Sequence, residues 1–183
     1  VAMNYDIHRS TGVTQTVLGV VGDKMDFDPR SIKVLDGVHD VIRISEPYKL
    51  ASRTFHPEDT VIRVKNVEIG GKKNVVVMAG PCSVESEEQV NHIAACVKKS
   101  GAKILRGGAF KPRTSPYAFQ GMGEKGLRLL KDAGDKLGMP VITEVMDQSK
   151  IPLIMEYADI LQIGARNMQN FDLLKELGKI RKP

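Results

Sequence analysis

The sequence predicts an α/β fold with a parallel sheet, preceded by a small α+β module. From residue 74 onward, short apolar runs alternate with helical patterns, and this alternation is typical of a parallel sheet. Four strands are predicted, at residues 75–79, 103–106, 140–143 and 159–163. A closed barrel of this type needs eight such strand-helix units. A four-stranded open sheet and half a barrel are therefore both compatible with the pattern.

The predicted helices have clear boundary signals. Ser86 and Gln89 form a capping box at the start of the first helix, whose apolar side chains then recur at helical spacing. Glycines are expected to end the later helices at Gly138 and Gly178. The chain stops where a fifth strand is expected to begin, and we therefore expect it to be truncated.

Residues 1–65 are predicted to form a separate module. Its predicted elements are a strand at 17–21, a helix near 28–35 and a strand at 38–44. Two short extended segments, 61–64 and 67–69, follow a connector. The predicted domains are therefore residues 1–65 and 66–183.

The composition favours a protein that binds small anions. The formal charge is +5, from 27 basic and 22 acidic residues that are scattered along the chain. Tryptophan is absent and aromatic residues are few, which argues against a nucleic-acid surface built on base stacking. No apolar run approaches the ~18 residues of a membrane-spanning helix. Two cysteines are too few for a disulfide framework, so we expect free thiols and a cytoplasmic location.

Polar side chains follow the predicted strands at the edge where α/β proteins bind ligands. These candidate residues are Cys82, Arg106, Lys111, Arg113, Thr114, Ser115, Glu144 and Arg166. Two arginines at equivalent strand ends, beside a loop with cations and hydroxyls, favour one anion site. Simpler interpretations stay open: packing for Cys82, a solvated loop for residues 111–115 and a structural ion pair for Glu144. Cys96 and three of the histidines, His39, His56 and His92, are interpreted as structural.

Four segments resemble a known family. They are AGPCSVES (79–86), LRGGAFKPRTSPYAFQGMGEKGL (105–127), TEVMD (143–147) and ADILQIGARNMQNFDLL (158–174). They closely resemble the 3-deoxy-D-arabino-heptulosonate 7-phosphate (DAHP) synthases, and the resemblance is strong over about residues 45–183. Residues 1–44 are similar, less specifically, to the ferredoxin-like regulatory module of one subgroup.

The resemblance implies a partial TIM barrel of about four βα units behind a partial ferredoxin-like module. It also implies a metal-dependent, aldol-type condensation of phosphoenolpyruvate with erythrose 4-phosphate, which opens the shikimate route. Arg106, Lys111 and Arg166 would hold phosphoenolpyruvate, with Glu144 beside it. Arg113, Thr114 and Ser115 would hold erythrose 4-phosphate. Cys82 would be the first ligand of a divalent metal such as Mn²⁺, and Lys111, Arg106 and Cys82 are the expected catalytic residues.

Other expectations also follow from the resemblance. His8 and Ser10 are nominated as contacts of an inhibitory aromatic amino acid, with a plain edge strand as the alternative. The family's remaining metal ligands come from later strands, so this chain alone is expected to be inactive. A homotetramer is expected, without nucleic-acid or membrane partners. Two alternatives stay open: an octulosonate-phosphate synthase, which the loop 111–115 disfavours, and an inactive effector-binding fragment.

Overall fold

A computed structural model of the chain describes residues 5–22, 28–44, 48, 51–71 and 75–183. The chain divides into two compact units, residues 1–60 and 61–183. The domain limits expected from the sequence, 1–65 and 66–183, stay a prediction. Within the described ranges, no helix is long and apolar enough to cross a membrane.

The first unit is built on an antiparallel hairpin. Strands β1 (Asp6–Thr11) and β2 (Thr16–Val21) pair with Thr11 opposite Thr16. One face of the hairpin packs against residues 55–56. A Cβ at Gly19 would lie 2.3 Å from the ring of Phe55, so the glycine permits this close approach.

Two sequence predictions for the first unit are corrected by the structure. The predicted helix near 28–35 is reduced to a single turn, α1 (Arg30–Lys33). The predicted strand at 38–44 is wrong, because these residues form no regular element. Asp40 in this segment binds locally, pairing with Lys33 at 2.8 Å and accepting the Val41 amide at 2.9 Å. A segment with alternating apolar residues forms a strand only where a neighbouring strand provides partners for its backbone hydrogen bonds. In the described part of this unit, β1 and β2 are paired with each other and not with residues 38–44.

The second unit begins with a hairpin, in which the two short extended segments predicted from the sequence pair with each other. Strands β3 (Val61–Val64) and β4 (Val67–Gly70) are joined by a turn in which Lys65 adopts a left-handed φ of 49°. The Lys65 ammonium reaches Asp159 at 3.0 Å and Asp135 at 3.4 Å. These ion pairs connect the turn to the residue that precedes the last strand of the parallel sheet and to the C-terminal turn of the helix Glu124–Leu137.

The parallel sheet follows, and the predicted alternation of strands and helices is confirmed. Its strands pair in chain order: β5 (Met78–Ala79), β6 (Ile104–Arg106), β7 (Val141–Glu144) and β8 (Ile160–Gln162). The helices after them are α2 (Glu87–Lys99), α3 (Glu124–Leu137), α4 (Ile151–Tyr157) and α5 (Phe171–Leu177). The capping box is also confirmed, since Ser86 accepts the Gln89 amide at 3.1 Å.

The register of the strands gives the sheet two different faces. On one face Ile104, Ile142 and Ile160 form an apolar layer, covered by Val64 and Val67 of the β3–β4 hairpin. On the other face the sheet packs against the helices. The core on that side includes Val90, Ala94, Leu105, Leu127, Leu130, Val141, Ile154 and Leu173.

A matched pair of valines tests this helix-facing core. Val141 is 1% exposed and Val75 is 93% exposed. Val141→Ala is expected to lower the free energy of unfolding by about 2 kcal/mol, because two buried methyl groups are lost and a cavity remains. Val75→Ala is expected to change it by less than about 0.5 kcal/mol. Urea denaturation measures both, and equal effects would contradict this description of the core.

Candidate functional site

A polar layer lies on the same face of the sheet as the apolar layer, toward the carboxyl ends of the strands, and its arginine is paired with Ile142 of the apolar layer. Arg106, Glu144 and Gln162 each follow an isoleucine of that layer by two residues, so their side chains lie on the same face, at the carboxyl ends of their strands. Glu144 and Gln162 are directly paired between β7 and β8. The sheet therefore brings an arginine, a carboxylate and an amide to one edge.

The guanidinium of Arg106 is held from several sides. Its Nε donates to Oε1 of Gln162 at 3.2 Å, and its Nη1 donates to the carbonyl oxygens of Cys82 at 3.0 Å and Pro81 at 3.4 Å. Its Nη2 lies 3.8 Å from Oε2 of Glu144, which is a long contact for an ion pair. Two of the three nitrogens are thus anchored by neutral acceptors.

Lys111 meets Arg106 at the same carbonyl group. Its Nζ donates to the carbonyl oxygen of Cys82 at 3.0 Å and contacts the Cys82 sulfur at 3.1 Å. The hydrogen bond from Lys111 and its positive charge lower the pKa of the Cys82 thiol, and Arg106 adds to this effect. Cys82 is exposed, so the packing interpretation of this residue is not supported.

The loops that carry these groups are packed closely together. A Cβ at Gly108 would lie 2.6 Å from the Cys82 carbonyl oxygen, so the glycine lets the two loops approach. The Val84 amide donates to the Gly108 carbonyl at 2.9 Å, and the buried Thr143 hydroxyl donates to the Gly107 carbonyl at 2.6 Å. Sequence reasoning did not single out Thr143 for this role, because a hydroxyl on a strand gives no signal of its partner.

Glu144 is largely buried beside another glycine. Its side chain is 13% exposed, and a Cβ at Gly164 would lie 1.9 Å from its Oε1. The backbone of Gly164 is extended with a φ of −73°, so the glycine is needed for space and not for its conformation. The Glu144 carboxylate therefore occupies the volume that a side chain at position 164 would fill.

The remaining candidate residues lie outside this cluster of contacts. Arg113, Thr114 and Ser115 are exposed on the loop after β6, where the Ser115 hydroxyl accepts the Tyr117 amide at 3.3 Å. Arg166 is exposed in a 3₁₀ turn, Ala165–Asn167, that follows β8. These residues lie on loops at the carboxyl ends of β6 and β8, and their roles stay predictions.

The nominated effector residues lie in the first unit. His8 and Ser10 are two residues apart on β1 and so share one face of the hairpin. His8 is exposed, whereas the Ser10 hydroxyl is 3.2 Å from Nδ1 of His56. The segment is therefore a strand, which the sequence allowed as the alternative, and the structure does not test its contact with an effector.

A metal site was expected at Cys82, and the described residues do not complete one. Among them there is no group of three or more His, Cys, Asp or Glu side chains that could hold an ion. Catalytic metal sites normally have three or more protein ligands. The donor set described in this chain therefore does not fit a divalent metal by itself.

Family models match both parts of the chain. The DAHP synthetase I family matches residues 56–183, and the DAHP synthase ferredoxin-like domain matches residues 1–46. The chain belongs to the DAHP synthetase I family. The predicted fold class, part of a TIM barrel behind a ferredoxin-like module, is confirmed by these matches together with the parallel sheet in chain order.

The chain is similar to curated proteins that are named as aldolases. It is 51% identical over 180 residues to the phospho-2-dehydro-3-deoxyheptonate aldolase of Thermotoga maritima, and this alignment covers 98% of this chain and 53% of the relative. It is 35% identical over 120 residues to the 2-dehydro-3-deoxyphosphooctonate aldolase of Fusobacterium nucleatum, and this alignment covers 62% of this chain and 43% of the relative. The chain spans about half the length of the curated relatives that it matches.

Two solved structures of DAHP synthase are also similar to this chain. A crystal structure of DAHP synthase from Thermotoga maritima aligns with a TM-score of 0.69 at 49% identity, covering 97% of this chain and 52% of that one. A truncated form of the synthase from the same organism aligns with a TM-score of 0.64 at 50% identity, covering 73% of this chain and 48% of the other. The higher identity to the heptulosonate enzyme agrees with the preference expected from the loop 111–115.

The space at Gly164 can be tested by a double-mutant cycle. Gly164→Ala is expected to destabilise the chain by about 1–3 kcal/mol, because the new methyl group displaces the Glu144 carboxylate. The cost should be smaller in a Glu144→Ala background, where no carboxylate is displaced. Gly178→Ala is the control, since its Cβ would meet only ordinary contacts at 3.4 Å. Thermal unfolding measures the four variants, and an unchanged cost in both backgrounds would contradict the assignment.

The environment of Cys82 predicts a shifted alkylation profile. In a Cys96→Ser background, iodoacetamide is expected to alkylate Cys82 down to lower pH than an ordinary thiol, because Lys111 lowers its pKa. Lys111→Met removes the cation and should move the midpoint of the pH–rate profile upward. Lys125→Met, a change on the exposed side of α3, is the control. A midpoint that Lys111→Met leaves in place would show that the contact is absent in solution.

Proposed function

We propose that this chain binds phosphoenolpyruvate at the edge of the parallel sheet, as part of a site that condenses it with erythrose 4-phosphate. C3 of phosphoenolpyruvate would bond to the aldehyde carbon, water would add at C2, and phosphate would leave by cleavage of its C–O bond, so that the products are DAHP and inorganic phosphate. One observation carries this proposal: Arg106 at the end of β6 and Lys111 in the loop after it each donate a 3.0 Å hydrogen bond to the carbonyl oxygen of Cys82, which lies in a different chain segment. Their nitrogens therefore lie within about 6 Å of each other, a spacing at which one oxyanion can contact both.

Both cations retain hydrogen-bond donors for a ligand. The Lys111 ammonium has three N–H groups and uses two of them on Cys82. The Arg106 guanidinium uses Nε and Nη1, whereas Nη2 makes only the long contact to Glu144. A phosphate or carboxylate can therefore bind at the free donors without breaking the contacts that hold the two side chains.

The chemistry of the substrate fits these groups. Phosphoenolpyruvate carries a phosphate and a carboxylate, so it needs several cations, and Arg166 on the loop after β8 is proposed as the third. Arg113, Thr114 and Ser115 are proposed to hold the phosphate of erythrose 4-phosphate, with a guanidinium fork and two hydroxyl donors. The chain would then orient the two reactants so that C3 of phosphoenolpyruvate faces the aldehyde carbon.

A divalent metal such as Mn²⁺ remains part of the proposal. When bound it would polarise the aldehyde oxygen, and Cys82 would supply one of its ligands. The described residues do not supply the others. Inhibition by an aromatic amino acid through His8 and Ser10, a homotetrameric assembly and a cytoplasmic location are likewise proposals. The match of residues 1–46 to the ferredoxin-like domain supports a regulatory role for the first unit.

That same match also favours a second candidate, an effector-binding chain without catalysis. The two candidates differ in whether the parallel-sheet unit binds phosphoenolpyruvate. Binding that depends on Arg106 and Lys111 supports the first candidate. Binding of an aromatic amino acid alone supports the second.

Substitution of Lys111 tests the proposed function directly. Lys111→Ala and Arg106→Ala are each expected to weaken phosphoenolpyruvate binding at least about tenfold, because each removes a charged hydrogen-bond donor. Isothermal titration of the purified chain measures the affinity, and circular dichroism checks that the fold is intact. Lys125→Ala is the control for loss of a positive charge. Unchanged affinity in both variants would show that Arg106 and Lys111 do not bind phosphoenolpyruvate.

The condensation is tested in the full protein that carries this sequence. Phosphate release from phosphoenolpyruvate should require erythrose 4-phosphate and stop in Lys111→Ala. Absence of phosphate release from the unsubstituted protein with Mn²⁺ and both substrates would contradict the enzymatic assignment.

A further inference from the structure

Gln162 is a member of the polar layer that the sequence pattern did not single out. It ends β8 two residues after Ile160 of the apolar layer, and it is half-buried. Its backbone is fixed by the ladder, since its carbonyl oxygen accepts the Val145 amide at 2.9 Å. The base of its side chain is therefore held by the sheet.

The side chain of Gln162 reaches across the neighbouring strand to Arg106. Its Oε1 accepts a hydrogen bond of 3.2 Å from Nε of that arginine. On the other side of the guanidinium, Nη1 is anchored to the Cys82 carbonyl. Two anchors on different nitrogens fix both the plane of a guanidinium and its rotation within that plane. The remaining nitrogen, Nη2, is then aimed in one direction, beside Glu144.

The neutral amide at position 162 also preserves the charge of the site. Glu144 and Gln162 are directly paired on adjacent strands and face the same side of the sheet. A glutamate at position 162 would place two carboxylates around the single guanidinium of Arg106. Their combined charge would oppose the binding of an anion, whereas an amide oxygen accepts the Nε hydrogen bond without adding charge.

We propose that Gln162 is a positioning residue for Arg106: it aims the Nη2 end of the guanidinium at the bound anion and keeps a second carboxylate out of the site. This inference rests on the proposed binding of phosphoenolpyruvate. Gln162 acts through Arg106 and needs no contact of its own with the ligand. Its effect on affinity must therefore depend on the presence of the arginine.

A double-mutant cycle with phosphoenolpyruvate as the probe tests this dependence. Gln162→Met keeps the size of the side chain and removes its hydrogen bonds, and it is expected to weaken binding about tenfold. Arg106→Lys keeps the positive charge but has no guanidinium to orient. In that background Gln162→Met should change the dissociation constant less than about twofold. Gln15→Met, on the exposed turn of the first unit, is the matched control and should change nothing.

A charge exchange gives a second, independent measurement. Gln162→Glu retains an acceptor for Arg106 but adds a carboxylate, so it should weaken binding by at least about tenfold. Adding Glu144→Gln returns the layer to one carboxylate and should recover part of this loss. Recovery would show that the loss comes from the second carboxylate, and absence of recovery would contradict the charge part of the proposal. Titration of the purified chain measures all variants, and thermal unfolding checks that each is folded.

The outcomes separate this inference from the proposed function. Tight binding by the unsubstituted chain with a Gln162→Met variant of equal affinity would overturn the positioning role alone. Equal losses on Gln162→Met with arginine and with lysine at position 106 would overturn it as well, because Gln162 would then act independently of Arg106. Failure of the unsubstituted chain to bind phosphoenolpyruvate would overturn both proposals.

Discussion

The in-register pairing of four parallel strands is the constraint on which the candidate site depends. Because side chains alternate along a strand, the register that aligns Ile142 with Ile160 also aligns Glu144 with Gln162. The first pair belongs to an apolar layer that the β3–β4 hairpin covers, and the second to a polar layer at the carboxyl edge. A slip of one residue would turn the polar side chains toward the helices and remove the isoleucines from the face that the hairpin covers.

The candidate site brings two cations together around neutral hydrogen-bond acceptors. Arg106 and Lys111 share the carbonyl oxygen of Cys82, and Gln162 takes a further donor of Arg106. Carboxylates would hold the same cations more strongly, but they would also cancel the charge that an anionic ligand needs. Glu144 is the exception, and its contact to Arg106 is long. The site is thus ordered before a ligand binds and keeps positive charge and free donors for it.

The sequence was informative where a structural signal is local. Capping residues and apolar spacing identified α2, and the alternation of strands and helices identified the parallel sheet and its order. Prediction failed where pairing decides the structure. Residues 38–44 have the alternation of a strand but form none, and β1 pairs with β2 in a hairpin that the apolar pattern alone did not define. A strand is stabilised by pairing with a neighbouring strand, and the residue pattern of one strand does not show which segment will pair with it.

The candidate site, too, was predictable in part from local sequence signals and depended otherwise on contacts between distant segments. By itself the sequence determined which strand ends carry cations, the cysteine and the carboxylate, because these residues follow apolar runs and glycines that can be read directly. Only the tertiary structure decided which of them meet: Cys82, Arg106, Lys111 and Glu144 are in contact, whereas Arg113 and Arg166 lie on exposed loops. It also added Gln162 and Gly164, whose roles are set by the register of β8 against β7. Contacts between strands far apart in the chain depend on three-dimensional spacing, and no local pattern of residues encodes that spacing.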